Sequence, residues 1–388
     1  MTSNVTENIK YIGVDDTTID LFESQYIVPN GISYNSYLIV DEKIAIMDTV
    51  DLRKGEEWFA NLEEALEGRT PDYLVVQHME PDHSGNISLL MQKYPEVKLV
   101  ASAKAIQMMP QFFEDTCFEG KTITVKEGET LNLGTHTLQF FMAPMVHWPE
   151  VIVTYDAKDK VLFSADAFGK FGALDVEDDW VSEARRYYIG IVGRYGQQVQ
   201  SLLQKVASCD IQKICPLHGP VLSEKLGYYM GLYQTWAEYE PEKSGVVIAY
   251  ATIYGNTRKA AELLAEKLRE KGCEVVVYDL ARCDMHKAVA DAFCYDRLVL
   301  ASSTYNADVF PFMKTFIQHL TERQFQNRKV GLIENGSWAP LSSRVMRKML
   351  ETSKNLTFAD TTVKIFSAVK EENITEIEAL AEELVGKA

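Results

Sequence analysis

The stretch Tyr73-Leu-Val-Val-Gln-His-Met-Glu-Pro-Asp-His-Ser-Gly-Asn86 decides the interpretation of the fold. Its first four residues are an apolar run that predicts a buried strand, and a Ser-Gly-Asn turn closes it. Four possible metal ligands lie between them: His78, Glu80, Asp82 and His83. Alternate side chains of an extended segment point the same way, so His78, Glu80 and Asp82 are expected to converge while His83 faces a second point. This geometry favours two metal ions over one.

A single His or Asp at such a place is ordinarily a surface loop residue or a hydrogen-bonded core group. Four ionisable side chains packed at one strand end are costly to bury without a counter-ion. The cluster therefore predicts a metal site.

Three further candidate ligands also follow predicted strands. They are His147 after Thr137–Met142, Asp166 after Val161–Ser164, and His218 after Ile211–Cys215. Taken singly, Asp166 could cap a helix and His218 could belong to a capped turn. The repeated placement at strand ends favours a shared site. Strands with helices between and after them predict two sheets covered by helices.

Length and charge limit the classes of function. A chain of 388 residues is expected to form two domains. Its net charge of −17 makes nucleic acid and anionic membrane surfaces poor partners. The amino end has no features of a signal peptide, and no apolar run is long enough to span a bilayer. These observations predict a cytoplasmic protein.

The cysteines predict no metal site of their own. No Cys-x-x-Cys pair occurs, which argues against a rubredoxin-type or zinc-ribbon site. We expect reduced thiols that mainly pack. The six are Cys117, Cys209, Cys215, Cys273, Cys283 and Cys294.

Strands and helices alternate after the polar joint Tyr239–Gly245. The buried-strand run Val246–Ala251 leads into a loop with Thr, Gly and Asn and then into a helix through Lys271. Such a loop presents backbone N–H groups and a helix amino end to a phosphate. One loop of this kind is a weak signal, but the alternation continues to the last helix and predicts a parallel, doubly wound sheet.

Ligands of such sheets bind at the carboxyl ends of the strands, where this chain has three polar loops. Thr252, Asn256 and Thr257 can donate to a single phosphate, whereas Tyr305 and Trp338 could lie against a flavin ring or merely cap the sheet. The loops comprise Thr252, Ile253, Tyr254, Gly255, Asn256 and Thr257; Ser303, Thr304, Tyr305, Asn306 and Ala307; and Asn335, Gly336, Ser337 and Trp338.

The order His78-x-Glu80-x-Asp82-His83, then His147, Asp166 and His218, resembles the ligand series of the metallo-β-lactamase fold. That family usually has His where this chain has Glu80, and a carboxylate there gives a harder, more anionic site that favours iron over zinc. The version with Glu is similar to the flavodiiron proteins, and the three later loops resemble the FMN-binding loops of flavodoxins.

This resemblance covers the whole chain. It implies an α/β protein with a metallo-β-lactamase-like αββα sandwich at residues 1–243 and a flavodoxin-like doubly wound parallel sheet at residues 244–388. We expect the simplest two-domain class of the family, without a rubredoxin or flavin-reductase extension.

The resemblance also implies the cofactors and their ligands. FMN is expected in the second domain and two non-haem irons in the first. His78, Glu80 and His147 are expected to hold one iron, and Asp82, His83 and His218 the other, with Asp166 bridging them. In some members of the family the residue corresponding to His83 turns away from the metal, so both positions of His83 stay open.

The implied activity is reduction of O2 to water, of NO to N2O, or of both. Electrons would come from an external donor such as rubredoxin, because no Gly-x-Gly-x-x-Gly nicotinamide fingerprint follows any strand. Rubredoxins are commonly acidic, so docking would need a local basic patch, for which Arg323, Arg328 and Lys329 are candidates. Tyr195 is a candidate donor near bound substrate or a core residue.

By the same resemblance, the two sites lie too far apart within one chain for rapid electron transfer. A head-to-tail homodimer, or a dimer of such dimers, is expected to bring the FMN of one chain to the irons of the other.

Two other functions compete with this interpretation. One is a dinuclear zinc hydrolase of the metallo-β-lactamase class, against which Glu80 and the second domain count. The other is a flavodoxin-like electron carrier with a degraded first domain, against which the complete ligand series counts.

Overall fold

The structure, a computed structural model, describes residues 3–114 and 118–386. Cys117 therefore lies outside the described residues, and the other five cysteines are free thiols. The chain divides into two compact units, Met1–Gln234 and Thr235–Ala388. The division falls within the helix Leu226–Ala237, so the boundary expected between residues 243 and 244 stays a prediction.

The first unit contains two mixed sheets. The first sheet has, in spatial order, the strands Ser3–Asn4, Ile9–Tyr11, Tyr37–Ile39, Ala45–Met47, Tyr73–Val76, Lys98–Ser102 and Thr122–Val125. The second has Thr130–Asn132, Thr137–Met142, Ile152–Asp156, Val161–Phe163 and Lys213–Cys215. Two small antiparallel sheets pair Val14–Asp16 with Ile32–Tyr34 and Leu21–Phe22 with Tyr26–Ile27.

The strand Tyr73–Val76 shows how the layers form. Its Val75 packs in the core between the two sheets, whereas Leu74 and Val76 pack in the core under the helices. Side chains alternate across a strand, so one short apolar run serves both cores. The result is the predicted αββα arrangement.

Helices cover the outer faces of both sheets. On the first sheet lie Gly55–Leu66, Ile87–Lys93 and Ala103–Phe112, and Gly196–Val206 contacts the strand Thr137–Met142 of the second sheet. The unit also contains the helix Trp180–Tyr187, the π-helix Tyr188–Val192, the short helix Pro81–Ser84 and the 3₁₀ turns Leu52–Lys54 and Gly193–Tyr195.

The sequence of the run Ser33–Val40 predicts a single strand, and this prediction was wrong. The run forms two strands, Ile32–Tyr34 and Tyr37–Ile39, that belong to different sheets. The break falls at Asn35, whose side-chain amide donates to the carbonyls of Pro216 and Gly219 at 2.8 and 2.7 Å. These bonds tie the break to the loop that carries His218.

The second unit has the predicted flavodoxin-like sheet. Its strands lie in the order second, first, third, fourth, fifth, all parallel. In chain order they are Lys243–Ala251, Val275–Asp279, Tyr295–Tyr305, Lys329–Asn335 and Thr357–Ile365, and Asp308–Val309 adds an antiparallel pair. The helices are Asn256–Glu270, Met285–Cys294, Pro311–Glu322, Ser342–Met349 and Glu371–Val385. No helix in the described part of the chain is long and apolar enough to cross a bilayer.

Candidate functional site

The strand Tyr73–Val76 ends because the next backbone N–H groups donate to the side chain of Asp48 and not to a neighbouring strand. The carboxylate of Asp48 accepts from the N–H of Gln77 at 2.7 Å and from that of His78 at 3.3 Å. Pro81 then starts the helical turn Pro81–Ser84. Asp82 therefore does not continue the extended alternation, and its expected convergence with His78 and Glu80 was wrong.

The first group of candidate ligands contains His78, Glu80, His147 and Asp166. Oε2 of Glu80 lies 3.2 Å from Nε2 of His78 and 3.0 Å from Nε2 of His147. Oδ2 of Asp166 lies 3.4 and 3.1 Å from the same two nitrogens. Two imidazoles and two carboxylates thus converge on one point.

The second group contains Asp82, His83 and His218. Oδ2 of Asp82 lies 3.3 Å from Nε2 of each of the two imidazoles. The other oxygen of Asp166, Oδ1, lies 3.2 Å from Nε2 of His83 and 3.8 Å from Nε2 of His218. Asp166 therefore turns one oxygen to each group.

Buried polar atoms in this cluster need a partner that the protein does not supply. Within residues 3–114 and 118–386, both carboxylate oxygens of Asp82 and of Asp166 make no hydrogen bond, and neither does Nε2 of His83 or of His218. Leaving such atoms unsatisfied is costly. Three carboxylates and four imidazoles in two adjoining groups fit a pair of cations, and the mixed oxygen and nitrogen donors suit iron.

Hydrogen bonds behind the ligands orient two of the imidazoles. Nδ1 of His78 lies 2.8 Å from Oε1 of the fully buried Glu150, and Nδ1 of His218 donates to the carbonyl of Ser33 at 2.7 Å. Such bonds fix the tautomer that presents Nε2 to a metal. Nδ1 of His83 has no such partner among the described residues. His83 is therefore held less firmly than His78 and His218.

We expect Glu150→Gln to weaken iron binding about 10- to 100-fold, because the neutral amide no longer polarises His78. Titration of the metal-free protein with ferrous iron measures the change. Glu127→Gln, an exposed substitution in the same unit, is the control and should bind iron normally. Equal affinity in the two variants would contradict the role given to Glu150.

The buried carboxylates of the cluster also favour positive charge on the groups around them. Although burial disfavours a protonated imidazole, Asp166, Glu150 and Glu80 raise the pKa of His78 well above its usual range. Burial also lowers the pKa of His147, but Asp166 and Glu80 outweigh it and raise this pKa to about 9. Burial opposes ionisation of Asp166, yet His78 and His83 hold its pKa well below the ordinary value. Without metal, protons on His78 and His147 offset the charge of the carboxylates.

We expect the metal-free protein to lose stability as the pH rises from about 6.5 to about 9, the ordinary and the folded pKa of His147. In this window the folded state binds a proton that the unfolded state has released, so rising pH favours unfolding. Thermal denaturation after chelation should show a Tm lower by several degrees at pH 9. The metal-loaded protein and the metal-free variant His147→Gln should show a smaller decrease in Tm. If Tm fell equally with pH in all three proteins, the proton on His147 would not be the cause.

Aromatic side chains enclose the cluster, and sequence reasoning missed them. The rings of Phe22, Tyr34 and Tyr187 lie 5.3, 5.9 and 5.4 Å from the ring of His218. Trp148 lies 5.2 Å from His78. Their apolar bodies keep the cluster dry, which strengthens its electrostatic interactions. Tyr195 ends a short 3₁₀ helix and is half-buried, and its role as a donor stays a prediction.

The second unit has a cavity of about 660 Å³ at the carboxyl ends of its strands. Fourteen of the fifteen residues expected in the three loops line it; the other, Gly255, has φ +94° and precedes the helix Asn256–Glu270. Ala339, Leu341 and Ser367 also line the cavity and were missed. The helix amino end offers unpaired N–H groups to a phosphate.

Aromatic side chains stand at the mouth of this cavity. Trp338 is 90% and Tyr254 94% exposed, and Tyr305 is 44% exposed. Large exposed aromatic groups around a cavity mark a place where a ring ligand or another protein binds.

The prediction that Arg323, Arg328 and Lys329 form an exposed basic patch was wrong. Arg323 is 8% and Arg328 3% exposed. The guanidinium of Arg328 donates to the carbonyls of Tyr239 and Phe293, and Lys329 donates to that of Glu383. These cations bind backbone carbonyls inside the unit and are not free to receive a partner.

Comparisons with known proteins agree with both units. Residues 32–219 match the family model of the ODP family beta lactamase, and residues 248–357 match that of flavodoxin. The nitric oxide reductase of Moorella thermoacetica is 31% identical over 361 residues, which cover 90% of each chain. The rubredoxin-oxygen oxidoreductase of Megalodesulfovibrio gigas is 27% identical, with 98% of this chain and 96% of that protein covered.

Solved structures extend the likeness to the whole fold. The rubredoxin oxygen:oxidoreductase from Desulfovibrio gigas superposes with a TM-score of 0.92 at 26% identity, covering 99% of this chain and 98% of that one. A flavo di-iron protein from Thermotoga maritima gives 0.87 at 26% identity, with 99% of both chains covered. The chain therefore belongs to the flavodiiron proteins, a family of oxidoreductases whose cofactors are FMN and a pair of iron ions.

Proposed function

We propose that this enzyme reduces O2 to water and, as a second activity, NO to N2O, with electrons that enter through FMN. The observation that carries the proposal is Asp166, which turns one unsatisfied oxygen to each of two ligand groups. A carboxylate placed in this way would hold both metal ions, and the pair would supply the redox chemistry for reducing a diatomic gas. The relatives named for nitric oxide and for oxygen support both substrates.

The two groups define the iron ligands that we propose. His78, Glu80 and His147 hold one iron, Asp82, His83 and His218 hold the other, and Asp166 bridges them. His83 contributes less to binding than His78 and His218, because Nδ1 of this imidazole has no orienting partner among the described residues. The surrounding carboxylates stabilise the oxidised irons.

The bound irons supply a redox centre that takes up a diatomic gas. Reduction of one O2 to two waters consumes four electrons and four protons, and reduction of two NO to N2O and one water consumes two of each. The chain contributes the dry, aromatic enclosure formed by Phe22, Tyr34, Trp148 and Tyr187. Its exclusion of water limits side reactions of partly reduced gas.

The cavity of the second unit is the proposed FMN site. Thr252, Asn256 and Thr257 receive the phosphate at the amino end of the helix Asn256–Glu270. Tyr305 and Trp338 lie against the flavin ring. The remaining loop residues Ile253, Tyr254, Gly255, Ser303, Thr304, Asn306, Ala307, Asn335, Gly336 and Ser337 complete the site.

A head-to-tail homodimer, or a dimer of dimers, is the proposed working form. In it the FMN of one chain meets the irons of its partner, and an isologous pair makes two such sites. The exposed Tyr254 and Trp338 at the cavity mouth support this arrangement, because such aromatic groups gain from being covered.

The proposed electron donor is a small external protein such as a rubredoxin, in keeping with the name of one relative. We assign the reaction to the cytoplasm, where reducing conditions maintain free thiols such as those of the five described cysteines.

Metal and flavin analysis combined with gas consumption tests the proposal. We expect FMN and iron in a ratio of one to two per chain, with O2 and NO consumed when dithionite supplies electrons. Bound zinc without flavin, together with hydrolysis of an ester or phosphodiester, would instead support a dinuclear hydrolase. Iron and flavin without gas consumption would also overturn the proposal.

A further inference from the structure

A third group of possible metal ligands lies at the other end of the first unit. It consists of one imidazole and two carboxylates, those of His136, Asp156 and Asp159, whose ligand atoms lie within 4.8 Å of one another. His136 directly precedes the strand Thr137–Met142, and Asp156 ends the antiparallel strand Ile152–Asp156. The loop that joins the other ends of these two strands carries the iron ligand His147. The third group is therefore separate from the iron site.

Two members of the group are deeply buried. His136 and Asp156 are fully buried, and Asp159 is half-buried. His136 alternates with Leu138 and Phe140, which pack in the core between the two sheets. An imidazole and carboxylates at the edge of an apolar core are costly to bury unless they bind a partner.

The closest pair of the group is not a hydrogen bond. Nδ1 of His136 lies 3.1 Å from Oδ1 of Asp156, yet neither atom forms a hydrogen bond with any described residue. Two iron ligands have the same property, since Nε2 of His218 and Oδ2 of Asp82 lie 3.3 Å apart and are not hydrogen-bonded. Zinc bonds of about 2.0–2.1 Å at tetrahedral angles place neighbouring ligand atoms about 3.3 Å apart. The pair thus has the separation of two ligands of one ion.

The second oxygen of each carboxylate is used within the protein. Oδ2 of Asp156 accepts from the N–H of Asp159 at 2.9 Å, and Oδ2 of Asp159 accepts from the hydroxyl of Thr6. The N–H of His136 donates to the carboxylate of Asp41 at 2.6 Å. These bonds orient the ligands in advance and leave Oδ1 of each carboxylate for an ion.

One cation competes with a metal ion at this place. Nζ of Lys158 lies 3.2 Å from Nε2 of His136 and donates to Oγ1 of Thr135 at 2.8 Å. While Lys158 donates to Nε2, the proton of the neutral imidazole is on Nδ1. A metal ion at Nδ1 requires that proton to move to Nε2 and the ammonium group to turn away. Lys158 is exposed, so its side chain can turn into solvent.

We propose that His136, Asp156 and Asp159 bind one zinc ion through Nδ1 and the two Oδ1 atoms. Three such ligands with a fourth position open to water are a normal zinc environment. The ion neutralises two carboxylates and links the turn before Thr137–Met142 to the turn after Ile152–Asp156, which stabilises the fold. The inference goes beyond the proposed function, because this site takes no part in electron transfer or gas reduction.

The test measures zinc binding to the protein loaded with iron and FMN, so that the first metal site is already filled. Equilibrium dialysis against zinc, followed by elemental analysis, gives zinc and iron content in the same sample. The variants are Asp159→Asn, which removes a half-buried ligand, and Lys158→Met, which removes the competing cation. The matched control is Asp210→Asn, since Asp210 is an exposed carboxylate of the same unit that pairs with Lys160.

We expect the parent protein to bind one zinc per chain while keeping its iron. Asp159→Asn should bind zinc at least about tenfold more weakly, and Lys158→Met should bind it more tightly. Asp210→Asn should resemble the parent protein. Zinc should also raise the Tm of the parent protein and of Lys158→Met, but not that of Asp159→Asn at the same zinc concentration.

Three results would overturn the zinc site. The first is no zinc bound by the parent protein, or zinc bound only with an equal loss of iron. The second is equal affinity in Asp159→Asn and in the control. The third is unchanged or weaker binding in Lys158→Met, because the lysine would then not compete with an ion at His136.

Discussion

Replacing Asp166 with asparagine is expected to remove both irons from the purified protein and to lower gas consumption at least about 100-fold. Asp166 is fully buried, and its two oxygens lie within 3.4 Å of an imidazole nitrogen in each ligand group. The amide has nearly the same shape but carries no charge and can present only one oxygen as an acceptor. One substitution therefore weakens both metal positions together.

Iron content by elemental analysis and dithionite-driven O2 consumption measure this effect. Asp156→Asn is the matched control, since Asp156 is another fully buried aspartate of the same unit, beside His136 at 3.1 Å and outside the seven candidate ligands. It should lose stability but keep its iron. FMN content should stay normal in both variants, because the flavin belongs to the second unit. Full iron occupancy in Asp166→Asn would exclude the bridging role.

The candidate ligands could be found from the sequence because each follows an apolar strand. His147, Asp166 and His218 come soon after the strands that end at Met142, Phe163 and Cys215. Strand ends that meet at one edge bring such residues together without detailed knowledge of the packing. Position along the chain was therefore informative for these side chains.

The environment of the ligands could not be predicted in the same way. Glu150, Ser33 and Tyr187 reach the cluster from a turn, a strand and a helix, and no local pattern marks them. The turn of helix at Pro81 also changed the direction of Asp82, because a four-residue helix is too short to leave a periodic signal. The directions in which the side chains of Asp82 and His83 point therefore depend on that helical turn.

The flavin cavity shows the same contrast. Its three loops follow directly from the alternation of strands and helices, which brings the carboxyl ends of parallel strands to one edge. Ser367 after the fifth strand lacked such a marker. Charge was the least predictable property, since Arg328 is buried against carbonyls whereas Arg344 is exposed. A cationic residue type does not reveal whether its partner is backbone or solvent.

Replacing Glu80 with histidine is expected to exchange iron for zinc and to lower gas consumption at least about 100-fold. Glu80 supplies the carboxylate oxygen that lies 3.2 and 3.0 Å from the imidazoles of His78 and His147. Those imidazoles, despite opposing burial, hold the pKa of Glu80 well below its ordinary value, so it is ionised at neutral pH. Histidine removes this charge and supplies a softer nitrogen.

The zinc-to-iron ratio after expression with both metals is the decisive measurement for Glu80. Glu80→Ala separates the two effects of the substitution, since it also removes the carboxylate but offers no new ligand. We expect Glu80→Ala to bind less of either metal and Glu80→His to bind zinc in place of iron, with both variants inactive toward O2 and NO. If Glu80→His kept iron and turnover, the single carboxylate would not be what separates this redox site from the zinc sites of the same fold. The preference for iron would then have to come from Asp82 and Asp166, the acidic ligands that remain.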